Sequence, residues 1–388
     1  MILYLSIFLA IALIYVFSIG TDTARSKWLL FAMMLFLGLF VGISDMLGGY
    51  DRYIYGNLFD SMCDDLNSGY SFWNTTLFTV YPSEVGYDGI NYLIGFVSHN
   101  RYIFILIYTM LIYALLFQSI KKYTENYPFA VLVFMGLWFF FTFTYLRQVL
   151  AAATCWLAID YVAQRKPLQF FAIVALAITI HNSAIVFTPL YFVPIKKFSP
   201  VTVILVMVAC LAVGLTSLPA GLFESYGELT DMEKRVAGLE DFSSMNIRIE
   251  YMLEAVVFLA IIFWRYSDVD DEDEQMVTLT NMALIFCAIL LVFVRSDNGG
   301  RLGWYYMMGV IATLTNLASI ERRKIIYQIG VLIMMGGMYF RVLTSWGENG
   351  YQILYPYKTF LTNGVRDPDK CHEIYEYDNN YDVNKFYR

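Results

Sequence analysis

Arg147 opens a long apolar run, with Gln148 next to it and three alanines, Ala151, Ala152 and Ala153, close behind. A guanidinium grips phosphate oxygens through two parallel hydrogen bonds and keeps its charge in dry surroundings, so an arginine here suits anion binding. The alanines allow close helix approach, which turns that charge toward the interior of a bundle. Asp160, the nearest acid in the same run, lies 13 residues on, about 20 Å along a helix, too far to pair with Arg147. The counter-ion must come from elsewhere: an acid of a polar segment, or a phosphate. A second cationic element reads Arg295-Ser296-Asp297-Asn298-Gly299-Gly300-Arg301. Its paired glycines can aim successive N–H groups at an anion between two arginines, or serve only a tight turn.

Proton transfer calls for other residues. Of the histidines His99, His181 and His372, His181 alone sits at the mouth of an apolar helix pair. An imidazole, with an ordinary pKa near ~6.5, can act as a base near neutrality; helix capping is its plainer role. Asp51 and Glu84 compete as bases or bind hydroxyl groups. Tyr50, Tyr53, Tyr55 and Tyr87 offer ring faces with polar tips, as ligand platforms or as an interfacial belt. Arg248 precedes Glu250 and Glu254, which lie on one helical face and can orient arginines. No acidic or cysteine pair has metal-ligand spacing, so neither a metal nor another cofactor is expected.

The elements that must position these groups are membrane helices. The chain has 388 residues, 59% hydrophobic and only 15% charged, against about a quarter charged in soluble domains. Apolar runs fall near residues 1–20, 27–44, 101–119, 128–145, 147–163, 168–180, 182–195, 201–217, 249–264, 276–294, 302–318 and 325–342. They predict one all-α polytopic domain over 1–388 with about 12 transmembrane helices. The 182–195 run, short and carrying Pro189 and Pro194, is the weakest and reads equally as re-entrant. No P-loop or dinucleotide fingerprint appears, and no basic stripe suggests nucleic acid.

Charge sets the orientation. The first run has no basic residue before it and no small-x-small cleavage site after it, so it reads as a retained span. Basic residues stay in the cytoplasm, and Arg25 and Lys27 follow this span, which places both termini outside. Inner loops then carry seven Lys and five Arg, whereas outer segments ahead of the tail carry one Lys, Lys234, and eight Arg: Arg52, Arg101, Arg147, Arg235, Arg248, Arg295, Arg301 and Arg341. Topology does not require those outer arginines, so ion pairing or anion binding must retain them. The long polar segments, 45–100, 218–248 and 343–388, are also outer, and long loops in compact proteins are usually functional or disordered.

Four short elements then share one resemblance. Gly48-Gly49-Tyr50-Asp51-Arg52-Tyr53-Ile54-Tyr55 is followed by Ser83-Glu84-Val85-Gly86-Tyr87, by Tyr145-Leu146-Arg147-Gln148-Val149-Leu150-Ala151, and by Ile180-His181-Asn182-Ser183-Ala184-Ile185. In order and spacing, with Tyr355-Pro356-Tyr357 late in the chain, they resemble the EpsG family of bacterial exopolysaccharide polymerases, relatives of the Wzy-type polymerases of O-antigen and capsule. Arg52 stands where that family commonly has an aromatic residue.

The resemblance implies a membrane glycosyltransferase of the GT-C-like class in the bacterial cytoplasmic membrane. Such a protein joins oligosaccharide repeat units carried on undecaprenyl pyrophosphate at the outer face, without a metal. The residue types fit that chemistry independently, with pyrophosphate contacts expected from Arg147, Arg248, Arg295 and Arg301, and catalysis from His181, Asp51 or Glu84. Substrate contacts fall to Arg52, Tyr55, Tyr87, Gln148, Glu250 and Glu254. The bilayer, the lipid-linked oligosaccharide, a flippase and a chain-length regulator are the implied partners. A flippase for lipid-linked oligosaccharide and an O-antigen ligase-like transferase are the alternatives. Transporters, however, place charge near the midplane and show matching halves, and neither is visible here.

Overall fold

The computed structural model describes residues 1–45, 49–219, 247–296, 299–320, 324–347, 354 and 357–361. Most of the predicted outer segment 218–248 and of the tail falls outside these residues, as do Gly48, Asp297, Asn298, Tyr355 and Pro356. The described chain is all-α apart from one isolated antiparallel bridge, Ser44 to Thr359. Backbone contacts divide it into two compact units: Met1–Thr154 with Ala175–Asn182 and Ile325–Arg388, and Cys155–Val174 with Ser183–Lys324.

The first unit begins with α1 (Ile2–Ser18) and α2 (Lys27–Gly42), followed by α3 (Tyr50–Asn67), α4 (Thr76–Val80) and α5 (Val85–Gly95) inside the predicted outer segment. Next come α6 (Arg101–Tyr123), α7 (Tyr127–Leu137) and α8 (Leu146–Trp156), whose last two residues pass into the second unit. Local chemistry sets the starts. Asn100 caps α6 by accepting from the Tyr102 amide at 2.9 Å, and Ser26 and Asn126 cap α2 and α7 through the Leu29 and Phe129 amides. Such caps satisfy amides that a helix leaves unpaired. Lys121 and Lys122 close the last turn of α6, where the helix dipole favours cations. Helix α6 packs on α2, α3, α5 and α7.

The second unit holds α9 (Ile159–Ala163) and the start of α10 (Pro167–Ile180), whose end belongs to the first unit, then α11 (Pro200–Gly214), α12 (Ile249–Trp264), α13 (Glu274–Val292) and α14 (Met307–Ser319). Helix α13 is its centre and packs on α9, α11, α12 and α14. The chain then returns to the first unit through α15 (Lys324–Trp346), where the Tyr339 hydroxyl donates to the Tyr4 carbonyl at 2.8 Å.

Among the described helices, α6, α13 and α15 are each long and apolar enough to cross a membrane, and α1, α2, α7, α10 and α11 are shorter apolar helices. Several predicted spans prove to be composite. The 128–145 run is α7 followed by a 3-10 turn at Phe139–Phe143, the 147–163 run is α8 plus α9, and the 302–318 run starts as a 3-10 helix, Gly299–Tyr306. The weak 182–195 run is 3-10 throughout Asn182–Phe192, with Pro189 inside. Proline removes an amide donor and crowds the preceding turn, which breaks α-helical bonding there.

Two of the arginines expected at the outer face act as internal ties of the first unit. Arg52 is wholly buried and donates to the backbone carbonyls of Ser44 at 2.8 Å and of Val41 and Phe143, each at 3.1 Å. Tyr357 packs beside this tie, stacked on Phe40 with ring centroids 4.2 Å apart. Arg101 donates from Nε to Asp60 at 2.8 Å and from its terminal nitrogen to Asn57 at 2.7 Å. Close backbone approach matters too. A Cβ on Gly136 in α7 would stand 2.8 Å from the Met335 carbonyl oxygen in α15. Gly136→Val should therefore destabilise the protein by about 1–3 kcal/mol through overpacking, seen as a lower melting temperature in detergent; an unchanged midpoint contradicts this packing.

Candidate functional site

Arg147, in the first turn of α8, does find its counter-ion in the polar segment. It forms a buried ion pair with Glu84, the residue preceding α5. Glu84 is placed by a tight turn, its amide donating to the Tyr81 carbonyl at 2.9 Å. Its second carboxylate oxygen accepts the Asn182 backbone N–H at 3.2 Å, and the Asn182 side chain donates to Ser83 Oγ at 2.8 Å. The 83–84 segment is thereby docked on the end of α10. Gly86 permits that docking, because a Cβ there would lie 2.3 Å from the Thr179 hydroxyl oxygen.

Aromatic rings complete the enclosure. The Arg147 guanidinium carbon lies 3.9 Å from the ring centre of Tyr81, 5.2 Å from that of Tyr55 and 5.3 Å from that of Tyr87. A cation over ring faces gains ~0.5–2 kcal/mol, more as water is excluded. Burial pushes the Tyr55 and Tyr87 hydroxyls up and the charge of Arg147 pulls them back, so both are neutral donors near pH 7. Tyr108 of α6 joins the same ring cluster, 6.0 Å from Tyr87 between ring centres. The hydroxyls of Tyr87 and Tyr108 and the Arg147 Nε have no hydrogen-bond partner among the described residues.

One turn after Glu84 on α5 lies Asp88, which the sequence reading passed over. It is 0% exposed, and neither carboxylate oxygen has a hydrogen-bond partner among the described residues. Burial first, then the Glu84 charge, pushes its carboxyl up to about 8 against the opposing pull of Arg147. The i, i+4 spacing from Glu84 was the available signal, since it puts both carboxyls on one helical face.

Elements 50–55, 83–87, 145–151 and 180–185 thus meet around one guanidinium, through Tyr55, Glu84, Tyr87, Arg147 and Asn182. Gln148 is buried beside Arg147 in the chain. Asp51 is half-buried one turn before Tyr55, whose hydroxyl feels its charge. His181 is half-buried at the end of α10, next to Asn182. Arg52 faces away into its three carbonyls.

The second unit holds a separate set of the predicted residues. Arg248 and Glu250 are exposed at the start of α12, and Glu254, Arg295 and Arg301 are half-buried. Tyr251 feels the charges of Arg248, Glu254 and Arg301. The glycines of the 295–301 turn serve close approach: a Cβ on Gly300 would meet the Tyr251 ring at 2.6 Å, and one on Gly299 would meet Phe293 at 2.3 Å. The Gly299 amide donates to Ser296 Oγ at 2.8 Å and so is not free for an anion. Among the described residues no group of His, Cys, Asp and Glu is arranged to hold a metal ion.

A family model described as the EpsG family matches residues 27–359, most of the chain and all the elements just described. No curated protein and no solved structure matches the chain at a significant level.

The ion pair has a testable signature. Removing one partner of a buried pair strands the other charge, at a cost of about 3–5 kcal/mol. Arg147→Met and Glu84→Gln should each lower stability by that order. The double variant should lose less than the two losses added, read from melting in detergent; simple additivity contradicts the pairing.

Proposed function

Because the chain belongs to the EpsG family, a membership that points to a role in exopolysaccharide synthesis, we propose that it is the polymerase that joins lipid-linked repeat units. In this reading a growing glycan leaves undecaprenyl pyrophosphate and passes to a hydroxyl of another lipid-linked unit at the outer face of the bacterial cytoplasmic membrane. The helical, apolar chain suits a membrane glycosyltransferase of the GT-C-like class, fed by a flippase and measured by a chain-length regulator.

The observation that carries the reading is the buried Arg147, held by Glu84 within a shell of tyrosines at the polar segment. A departing pyrophosphate carries developing negative charge, and a preorganised guanidinium in a dry site stabilises that charge far more than water does. Arg147 is positioned by its pair with Glu84 and passes from carboxylate to phosphate when the donor arrives. Arg248, Arg295 and Arg301 are the further pyrophosphate contacts that the sequence nominates, and Glu250 and Glu254 the further substrate contacts. Tyr55, Tyr87 and Gln148 face the sugars, and Asp51, Glu84 and His181 are the bases that the sequence nominates.

Purified protein in detergent, given a short-chain lipid-pyrophosphate repeat unit without ATP or added metal, should produce a ladder of lengthened products. The double variant Arg147→Met with Glu84→Gln removes both charges together and so spares the fold a stranded ion. It should extend at least ~100-fold more slowly. A ladder of wild-type intensity from that variant removes Arg147 from the chemistry. Transbilayer movement of the substrate in vesicles, without any elongation by the wild type, replaces the polymerase reading with the flippase one.

A further inference from the structure

Glycan transfer requires a base with a lone pair to spare, and the carboxyls nearest Arg147 differ in that respect. Glu84 is fully engaged, one oxygen on Arg147 and the other on the Asn182 amide. Hydrogen bonds and a cation favour the charged form of a carboxylate and weaken it as a base. Asp88 lies four residues further on, in the first turn of α5, wholly buried, with both oxygens unpartnered among the described residues. Leaving a buried polar atom unsatisfied costs ~1–3 kcal/mol, so a carboxyl kept in that state calls for a role. The neighbouring Gly89 has nothing within 4 Å of the position its Cβ would take, so the helix surface there is open.

We propose that Asp88 is a catalytic residue of this site, the base that accepts the proton of the attacking sugar hydroxyl. The inference rests on the polymerase reading. In the step, the hydroxyl oxygen forms the new bond to the anomeric carbon as the bond from that carbon to the pyrophosphate oxygen breaks. The bonding electron pair leaves with the pyrophosphate beside Arg147, and the hydroxyl proton passes to Asp88, which returns it to water before the next turnover.

The charged groups acting on Asp88 are Glu84, just ahead of its helix, and Arg147 of α8. The hydroxyls gathered around that guanidinium are Tyr55 of α3, Tyr81 of the preceding turn, Tyr87 of α5 and Tyr108 of α6. In this setting the Asp88 carboxyl, pushed up to about 8, titrates close to the operating pH, where a base combines availability with driving force.

Asp88→Asn tests the assignment, since the amide copies the shape and neutrality of the protonated acid and keeps the buried site uncharged. A folded state that holds a proton the unfolded chain has lost becomes less stable as pH rises from the ordinary carboxylate range toward the raised value. Wild-type protein should therefore lose melting temperature relative to Asp88→Asn between about pH 5 and 8, a readout that needs no substrate. Wild-type elongation should rise roughly tenfold per pH unit up to about pH 8 and then level off. Asp88→Asn should fold normally and extend at least ~100-fold more slowly, through kcat rather than KM. Elongation by Asp88→Asn within threefold of wild type, or melting curves that run parallel across pH, overturns the assignment of Asp88 alone. A wild-type protein that makes no ladder at any pH overturns the polymerase reading and this inference with it.

Discussion

A guanidinium taken out of water must be neutralised where it lies, because burying an unpaired ion costs several kcal/mol even after relaxation. Arg147 imposes that constraint on the first unit. Its counter-ion cannot come from its own helix, so Glu84 has to be brought in from the segment between α2 and α6. That delivery depends on the turn at Tyr81 to Glu84, on the Asn182 amide at the end of α10, and on Gly86, which leaves room for the Thr179 hydroxyl. The tyrosines finish the desolvation while leaving ring faces on the cation. One charge thus fixes the approach of four separated stretches of chain.

The same constraint suits the site to the chemistry proposed for it. An arginine that rests on a carboxylate is already oriented and already dry, which in that proposal lets it pass from the carboxylate to a phosphate. Asp88 lies within the same electrostatic field but without the hydrogen bonds that tame Glu84. Two carboxyls near one guanidinium cannot both be charged cheaply, and their unequal partners separate their roles. Arg52 and Arg101, also among the arginines expected outside, are spent on holding the fold, Arg52 on three backbone carbonyls and Arg101 on Asp60 and Asn57. The set of arginines that topology does not require therefore mixes structural ties with a candidate anion site.

Much of this was legible in the sequence. The need of Arg147 for a partner beyond its own helix followed from the 13 residues to Asp160, but the identity of that partner did not, since Glu84 read as a base and Glu250 and Glu254 as the acids that orient arginines. Family membership over residues 27–359 agrees with the resemblance carried by those elements. Asp88 was missed because an acid in the first turn of a helix reads as a favourable dipole contact, and only the packing of α5 reveals its burial. Arg52 looks like a ligand contact in one dimension, since the carbonyls that claim it, Val41, Ser44 and Phe143, are set by backbone geometry that no side-chain pattern encodes. The composite spans were hidden for a related reason. Hydropathy measures transfer into lipid, and Phe139–Phe143 or Asn182–Phe192 stay apolar whether the backbone is α or 3-10.

The central claim is that Arg147 serves a phosphate and that Glu84 occupies it in the meantime. The most direct test is the affinity of the purified protein in detergent for a short-chain prenyl pyrophosphate, compared between the wild type, Glu84→Gln and Arg147→Gln. If the carboxylate is the resting occupant, the two substitutions must act in opposite directions. Glu84→Gln should bind at least tenfold more tightly and Arg147→Gln at least tenfold more weakly than the wild type. Equal affinity in all three proteins, or a loss of the same size from both substitutions, contradicts the account.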